Sequence, residues 1–442
     1  MGLIGTRTYV GFGFGAIQSG LFLYEAHRSG NFRRLVVAEV LPELVAAIRE
    51  AGGTFRCNIA HSDRVEQAQV GPVEIKDPAV EADRADLVLA IAEAEEIGTA
   101  IPSVAYYTSP GPGSLHRVLA EGLRQKASRR GLRAVIYTAE NHNHAAELLE
   151  SSVMAEIPAA ERDAVSARVR FLNTVIGKMS GLIASPREVR AQGLATLTPA
   201  SERAFLVEAF NHILISRIQF DSDTAYRRGI EVFEEKTDLL PFEQAKLYGH
   251  NATHALAAYL GAVMGVERIA DLRQSLGVLP FLRAAFLEES GTALIAKYAG
   301  VDALFTPDGY RAYADDLLER MTNPYLRDTV ERVGRDPERK LGWDDRLVGT
   351  MRVALKQGIT PYRYALGAAA ALTVLDPAIL RDDLDVVPIL NTLWREASPD
   401  KQACQIVLEL VGDACHHLRQ WSRAGLPDLE AFSRAWIPAP KA

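Results

Sequence analysis

Glu243, Lys246, His250, Asn251 and His254 lie within one short stretch, Pro241 to Gly261, that is otherwise apolar enough to be packed inside a protein. Buried polar groups cost free energy unless they are paired, so a cluster of them on an apolar segment needs a reason. The residue types suit oxidation of an alcohol. Hydride leaves carbon for an acceptor, and a base takes the hydroxyl proton. A lysine can be that base when desolvation lowers its pKa towards neutrality. Asn251 can donate to a developing alkoxide. His254 can bind a substrate hydroxyl or orient Lys246, and Glu243, one turn before the lysine, can pass the proton to solvent. The same residues also fit an amphipathic helix with a surface Glu and Lys and a satisfied core His.

Pro241 suits the first turn of a helix, and the run that follows has helical apolar spacing. On a regular helix Lys246, Asn251 and His254 span an arc of roughly 140°, but Lys246 and His254 sit about 12 Å apart along the axis. The roles therefore require an interruption of the helix near Gly249.

A second constellation opens the chain. Thr8 to Phe12 reads as a strand, the run Gly11 to Gly20 as a glycine turn, and Ala16 to about Ser29 as a helix. A strand, glycine turn and helix in that order present bare amides and a helix N-terminus to a pyrophosphate. Two registers fit, Gly11/Gly13/Ala16 and Gly13/Gly15/Gln18. A second strand, Arg34 to Val40, carries Glu39 near its end, where an acid can bind ribose hydroxyls and repel a 2'-phosphate. This favours NAD over NADP.

Further strands are expected from short runs between Gly53 and Lys76, and at Ala85–Ala90, Pro102–Thr108, Arg133–Thr138 and Arg168–Leu172. Helices are expected over 115–129 and 145–151. Such alternation implies a parallel sheet that binds ligands at its strand ends, near Glu39, Gly111 and Asn141. Asn141 to His144 reads as a loop, not a metal cluster. Beyond about Ala200 helical spacing dominates, including a helix over Ser201–Ile215. The fold class is thus α/β, with an N-terminal dinucleotide-binding domain over residues 1–190 and a mainly α-helical substrate and catalytic domain over 191–442.

Composition sets the limits. The chain has 442 residues, 48% apolar and 24% charged, with a net charge of −7. The acidic balance and the lack of a basic run argue against a nucleic-acid partner. Three scattered cysteines fit reduced thiols, and no apolar run is long enough for a membrane span. With no signal-peptide pattern at the N-terminus, the expectation is a cytoplasmic protein. The final Pro-Ala-Pro-Lys-Ala is a low-complexity tail.

The order Glu243-x-x-Lys246, Asn251-x-x-His254-Ala255, ending Ala258-Tyr-Leu-Gly261, resembles the polyol-specific long-chain dehydrogenases. Other stretches agree: Phe12-Gly-Phe-Gly-Ala-Ile-Gln-Ser-Gly20, Ala38-Glu39-Val40, Gly111-Pro112 and Glu140-Asn141. Asn323-Pro-Tyr-Leu-Arg-Asp328 and Arg332 to Leu341 look most like the mannitol-1-phosphate branch. The resemblance implies a Rossmann-type domain followed by a helical one, NAD(P) as cofactor, of which Glu39 favours NAD, and no catalytic zinc or other metal. Its substrate would be a small polyol or sugar phosphate. It places the cofactor at Gly13, Phe14, Gly15, Ala16, Ile17, Glu39, Gly111, Pro112, Glu140 and Asn141. It makes Lys246 the base and Asn251 an oxyanion donor, and adds Asn173 as a second. Two departures stand out: Gln18 replaces a turn glycine, and Gly177-Lys178 replaces an Asp-Arg or Gly-Arg pair. They point to a divergent member. A reductase of a sugar conjugate such as a sugar–amino acid adduct, and a non-catalytic NAD or sugar sensor, are the alternatives. For a substrate phosphate the candidate donors are Lys178, Arg335, Arg339, Lys340, Arg352 and Arg363.

Overall fold

The computed structural model describes residues 5–221 and 225–438, so most of the proline-containing tail lies outside the described residues. Two compact units divide the chain between Leu240 and Pro241, well past the boundary expected near Arg190.

Among its described residues the first unit holds twelve strands: β1 (Arg7–Phe12), β2 (Phe32–Ala38), β3 (Phe55–Ala60), β4 (Val65–Val70), β5 (Glu74–Lys76), β6 (Glu96–Thr99), β7 (Ala134–Thr138), β8 (Val169–Val175), β9 (Ser180–Ile183), β10 (Ala204–Glu208), β11 (Ile213–Ser216) and β12 (Phe233–Lys236). Eight form one sheet in the order β12-β11-β8-β7-β6-β1-β2-β5. From β5 to β8 all neighbours are parallel, and the order is that of a doubly wound dinucleotide fold. The strand order reverses between β1 and β6, which is where such sheets bind their ligands. β11 joins antiparallel to β8. The other four strands form a second sheet, β4-β3-β10-β9.

Three sequence expectations fail, each for a physical reason. Ala85–Ala90 lies inside a helix, Glu81–Glu93. A short apolar run fits a buried strand or a buried helix equally well. Pro102–Thr108 contains a 3-10 turn, Val104–Thr108, and the central strand is β6, four residues that begin with a glutamate. That Glu96 is fully buried. It accepts from the Tyr137 hydroxyl at 2.9 Å and from the amides of Gly229 and Ile230, and these donors oppose the rise in its pKa that burial causes. Finally, Ser201–Ile215 forms strands β10 and β11, whose residues are almost all buried.

The glycine turn also differs from its usual form. Gln18 stands where a glycine would let the helix approach the strand, and it is buried. The room comes from the strand side: a Cβ on Gly11 would lie 2.2 Å from the Gln18 amide nitrogen. That nitrogen donates to the Tyr9 hydroxyl at 2.8 Å. The helix widens to π geometry over Gln18–Leu23 at the same place. Bulk has moved from one partner to the other. Gly11→Ala should therefore lower stability by about 1–3 kcal/mol through overpacking. Gly11→Ala combined with Gln18→Gly should recover part of the loss in urea unfolding; no recovery would refute the exchange.

The second unit is helical. Its main elements are a continuous helix over residues 240–263, a second over 278–297, Pro307–Met321, Val348–Lys356, Tyr362–Leu375 and Lys401–Arg423. Helix Tyr362–Leu375 is buried along nearly its whole length and packs against both Ala252–Val263 and Lys401–Arg423. An all-round apolar helix of this kind is a core helix.

Candidate active site

Within the first unit the predicted cofactor residues gather at the carboxyl ends of β1, β2, β6 and β7. Gly13 has φ +82° and donates to Ala38 at 2.9 Å; a Cβ there would meet the Ala100 carbonyl at 2.7 Å. Only glycine fits. Gly15 has open space where a Cβ would be, so a phosphate could approach its backbone. Ala16 and Ile17 are half-buried at the start of the helix. The Phe14 side chain instead turns inward, edge-on to Phe55 with centroids 4.9 Å apart. Its contribution is the amide, which donates to Glu39 Oε2 at 2.7 Å. Glu39 Oε1 takes the amides of Val40 and Leu41. Oε2 accepts one bond and keeps a lone pair for a ribose hydroxyl.

Glu140 is spent differently. Oε1 accepts from the Ile101 amide and Oε2 from the hydroxyls of Thr99 and Tyr107. Burial raises its pKa, and the amide and hydroxyl donors oppose that. This carboxylate builds the loop after β6 rather than facing a ligand. Gly111 has φ +96° with open space around it, while Pro112 and Asn141 are exposed. Residues 141–144 form an exposed loop ahead of helix Ala145–Ala155. Asn173 departs from expectation: it accepts from the Ala146 amide at 2.9 Å and donates to Glu147 at 2.8 Å. Both ends of its amide serve that helix. Lys178, expected as a phosphate donor, is buried and donates to the Phe210 carbonyl and to Asn211.

In the second unit the interruption expected near Gly249 is a π segment, Ala245–Asn251, inside an otherwise continuous helix. Such a segment adds a residue to a turn and is common at functional sites. Its hydrogen bonds run to i+5, so a carbonyl needs an outside partner. The Tyr248 carbonyl takes the Thr350 hydroxyl at 3.1 Å. Gly249 is required on the inner face, where a Cβ would lie 2.7 Å from the Tyr310 hydroxyl and 3.2 Å from the Phe286 ring. Phe286 lies in a second π segment of this unit, Ala285–Gly291, and Tyr310 packs on its Gly291. One turn on, Thr253 shares a 2.8 Å hydrogen bond with the Tyr364 hydroxyl, which reaches Ser290 at 3.3 Å. Below these, Glu289 accepts the amides of Arg363 and Tyr364 and caps their helix. Burial pushes its pKa up to about 7.

Lys246 is half-buried on this segment. Burial first, and the Arg346 guanidinium second, lower its pKa to about 8, while Glu243 acts in the opposite direction. His254 is lowered to about 4, chiefly by burial, with Asp328 opposing and Arg332, Arg346 and Lys340 adding to the fall. His250 is buried and held neutral by the same desolvation and by nearby cations, and its ring centroid lies 6.3 Å from that of His254. Asn251 is half-buried where the π segment ends. Arg346 thus bears on three histidine and lysine positions at once, and Lys340, itself buried, is lowered to about 8 by burial and by Arg346. Of the other basic candidates, Arg363 pairs with Glu288 and Glu289, and Arg352 with Asp344. Sequence reasoning missed Arg346 and Asp328 as site residues. Asp328 closes a motif quoted above and Arg346 stands in none, and nothing local tied either to Lys246.

A doubly wound sheet with a glycine turn, followed by a helical unit carrying a lysine of depressed pKa, is the architecture of a dehydrogenase. Residues 238–412 match the mannitol dehydrogenase C-terminal domain. The chain is 30% identical over 371 residues to a mannitol-1-phosphate 5-dehydrogenase of Exiguobacterium sibiricum, covering 83% of this chain and 86% of that one. It is 29% identical to the enzyme of that name from Pseudarthrobacter chlorophenolicus, covering 84% and 86%. Its fold resembles that of a substrate-free D-sorbitol dehydrogenase, with a TM-score of 0.71, 15% identity and coverage of 96% and 95%. It also resembles Pseudomonas fluorescens mannitol 2-dehydrogenase, solved with NAD and D-mannitol, with a TM-score of 0.67, 15% identity and 96% coverage of each chain. The chain belongs to the mannitol dehydrogenase family and is an oxidoreductase.

The packing under the lysine is testable. Gly249→Ala should press on Tyr310 and shift the π segment. A displacement near 1 Å at a reacting group costs up to about 100-fold in rate. We expect turnover to fall about 10–100-fold while the thermal midpoint drops only a few degrees; unchanged turnover would show that the segment does not set the lysine.

Proposed function

We propose that the protein is an NAD-dependent dehydrogenase that interconverts a polyol phosphate and the corresponding keto sugar phosphate, with Lys246 as general base. The observation that carries this reading is the depressed pKa of Lys246 on a distorted, buried helical turn next to Asn251 and His254. A neutral amine near pH 8 can take the carbinol proton, which an ordinary lysine cannot. Asn251 donates to the oxygen as negative charge grows on it. Glu243, one turn before the lysine, passes the proton on to solvent.

The cofactor would be held by the backbone of Gly13 to Ile17, by Gly111 and by the free lone pair of Glu39. The open face of Gly15 and the acid at the turn fit a dinucleotide whose ribose lacks a 2'-phosphate. When bound, its nicotinamide accepts the hydride from the carbinol carbon. The names of the two curated relatives and the NAD found in the mannitol 2-dehydrogenase structure support the same reading.

The phosphate rests on charge. Arg346 and Lys340, with Arg335 and Arg339 nearby in the chain, concentrate positive charge beside Lys246 and His254. An anionic substrate would relieve that repulsion. The substrate is small, so neither a nucleic acid nor a membrane is needed as partner, and a cytoplasmic site fits the cofactor supply.

Lys246→Ala should lower turnover about 100–10,000-fold and leave NADH binding intact, as read by fluorescence titration. Polyol oxidation should rise with pH through about 8, because the base must be neutral. The reverse reduction should fall over the same range. Near-normal turnover of the variant would exclude the lysine. Arg346→Ala should raise KM for mannitol 1-phosphate about 10–100-fold. It should also move the pH limb upward, since one cause of the depression is gone. A screen in which mannitol and its phosphate reduce NAD equally well would remove the phosphate from the proposal.

A further inference from the structure

Two buried polar atoms in the second unit have no hydrogen-bond partner and face each other: His254 Nε2 and Asp328 Oδ2, 3.8 Å apart. Such atoms are uncommon in a folded core and call for an explanation. Asp328 is not loosely placed. Its Oδ1 is paired with the Arg332 guanidinium, one turn on. Its carbonyl accepts from the Ile269 amide at 3.0 Å, and its neighbour Thr329 bridges to Arg268. Arg327, just before it, adopts φ +55°, a left-handed conformation that costs a side chain energy and turns the chain sharply here. Thr329 then caps the next helix by accepting from the Arg332 amide at 3.2 Å. Strain, bridge, cap and ion pair all fix one carboxylate oxygen opposite one imidazole nitrogen.

We propose that Asp328 is a positioning residue that fixes the tautomer of His254 and thereby its role towards substrate. A carboxylate only accepts, so the nitrogen facing it carries the hydrogen. Nδ1 then holds the lone pair. Because Nε2 is buried, the part of the ring still open to a ligand lies on the other side. His254 therefore accepts a hydrogen bond from a substrate hydroxyl, while Asn251 donates to the reacting oxygen. The division selects substrates with a free hydroxyl next to the reacting carbon. This assignment rests on the function proposed above.

Asp328→Asn keeps the shape and removes the charge, and its amide can donate to Nε2. We expect kcat/KM for the polyol to fall about 10–100-fold, with KM for NAD within twofold of wild type. In a His254→Ala background the same substitution should cost less than twofold, because Asp328 acts through that ring. Equal losses in both backgrounds, or a kcat/KM within twofold of wild type, would overturn the proposal. Ring nitrogen shifts in histidine-labelled protein, with His254 identified by its Ala variant, should show Nε2 protonated in wild type and a shift towards protonated Nδ1 in Asp328→Asn. A wild-type ring protonated on Nδ1 would also overturn it. If wild type turned over no polyol, the function would fall, and the ring signals would still decide the role of Asp328.

Discussion

The second unit depends on keeping an ammonium-bearing side chain where an ammonium is disfavoured. Lys246 shares its surroundings with Arg346, His250 and His254; burial lowers the lysine and both histidines, and the Arg346 guanidinium adds to each fall. Each cation makes the next one harder to charge. The cost is carried by the fold: buried glycines, tyrosines and a capped helix pack behind the segment and leave it no room to relax. Removing the Arg346 charge should therefore be felt at Lys246, His250 and His254 alike.

The first unit solves a different problem with carboxylates. Glu39, Glu96, Glu140 and Glu208 are all buried, and each accepts at least one backbone amide. They act as ties between segments far apart in sequence. Glu96 joins β6 to residues 229 and 230; Glu140 joins the end of β7 to the loop after β6. In Glu96 and Glu140 burial favours the neutral form and the hydrogen-bond donors the ionised one. Of the four, only Glu39 keeps the geometry expected of a ligand-binding acid.

Much of this was legible in the chain. Strand β1, the glycine turn, β2 with Glu39, β7 and the long helices of the second unit stand where their spacing puts them. So do Lys246, Asn251 and His254 on one distorted helix. What failed did so for lack of local signal. β6 is short and carries a buried glutamate whose partners, Tyr137, Gly229 and Ile230, all lie far along the chain. β10 and β11 are apolar on both faces, which erases the period of two. With β10 and β11 as strands, the first compact unit runs on to Leu240, past the boundary that helical spacing suggests near Arg190. Asn173 looks like a free amide until the helix it caps is placed beside it. Asp328 becomes a partner of His254 only when residues 250–254 and 327–332 are brought together in space.

Among the described residues three helices carry a π segment, at Gln18–Leu23, Ala245–Asn251 and Ala285–Gly291. One added residue rotates everything downstream by about 100° relative to a regular helix. Each of these helices is thus two periodic halves out of phase, and a single helical wheel drawn through the whole would put the wrong face inward on one side. For the helix over residues 240–263, the inward face before Gly249 and the one after it must be read as separate alphabets. A deletion within the segment would remove only one residue, yet it would re-aim every side chain that follows.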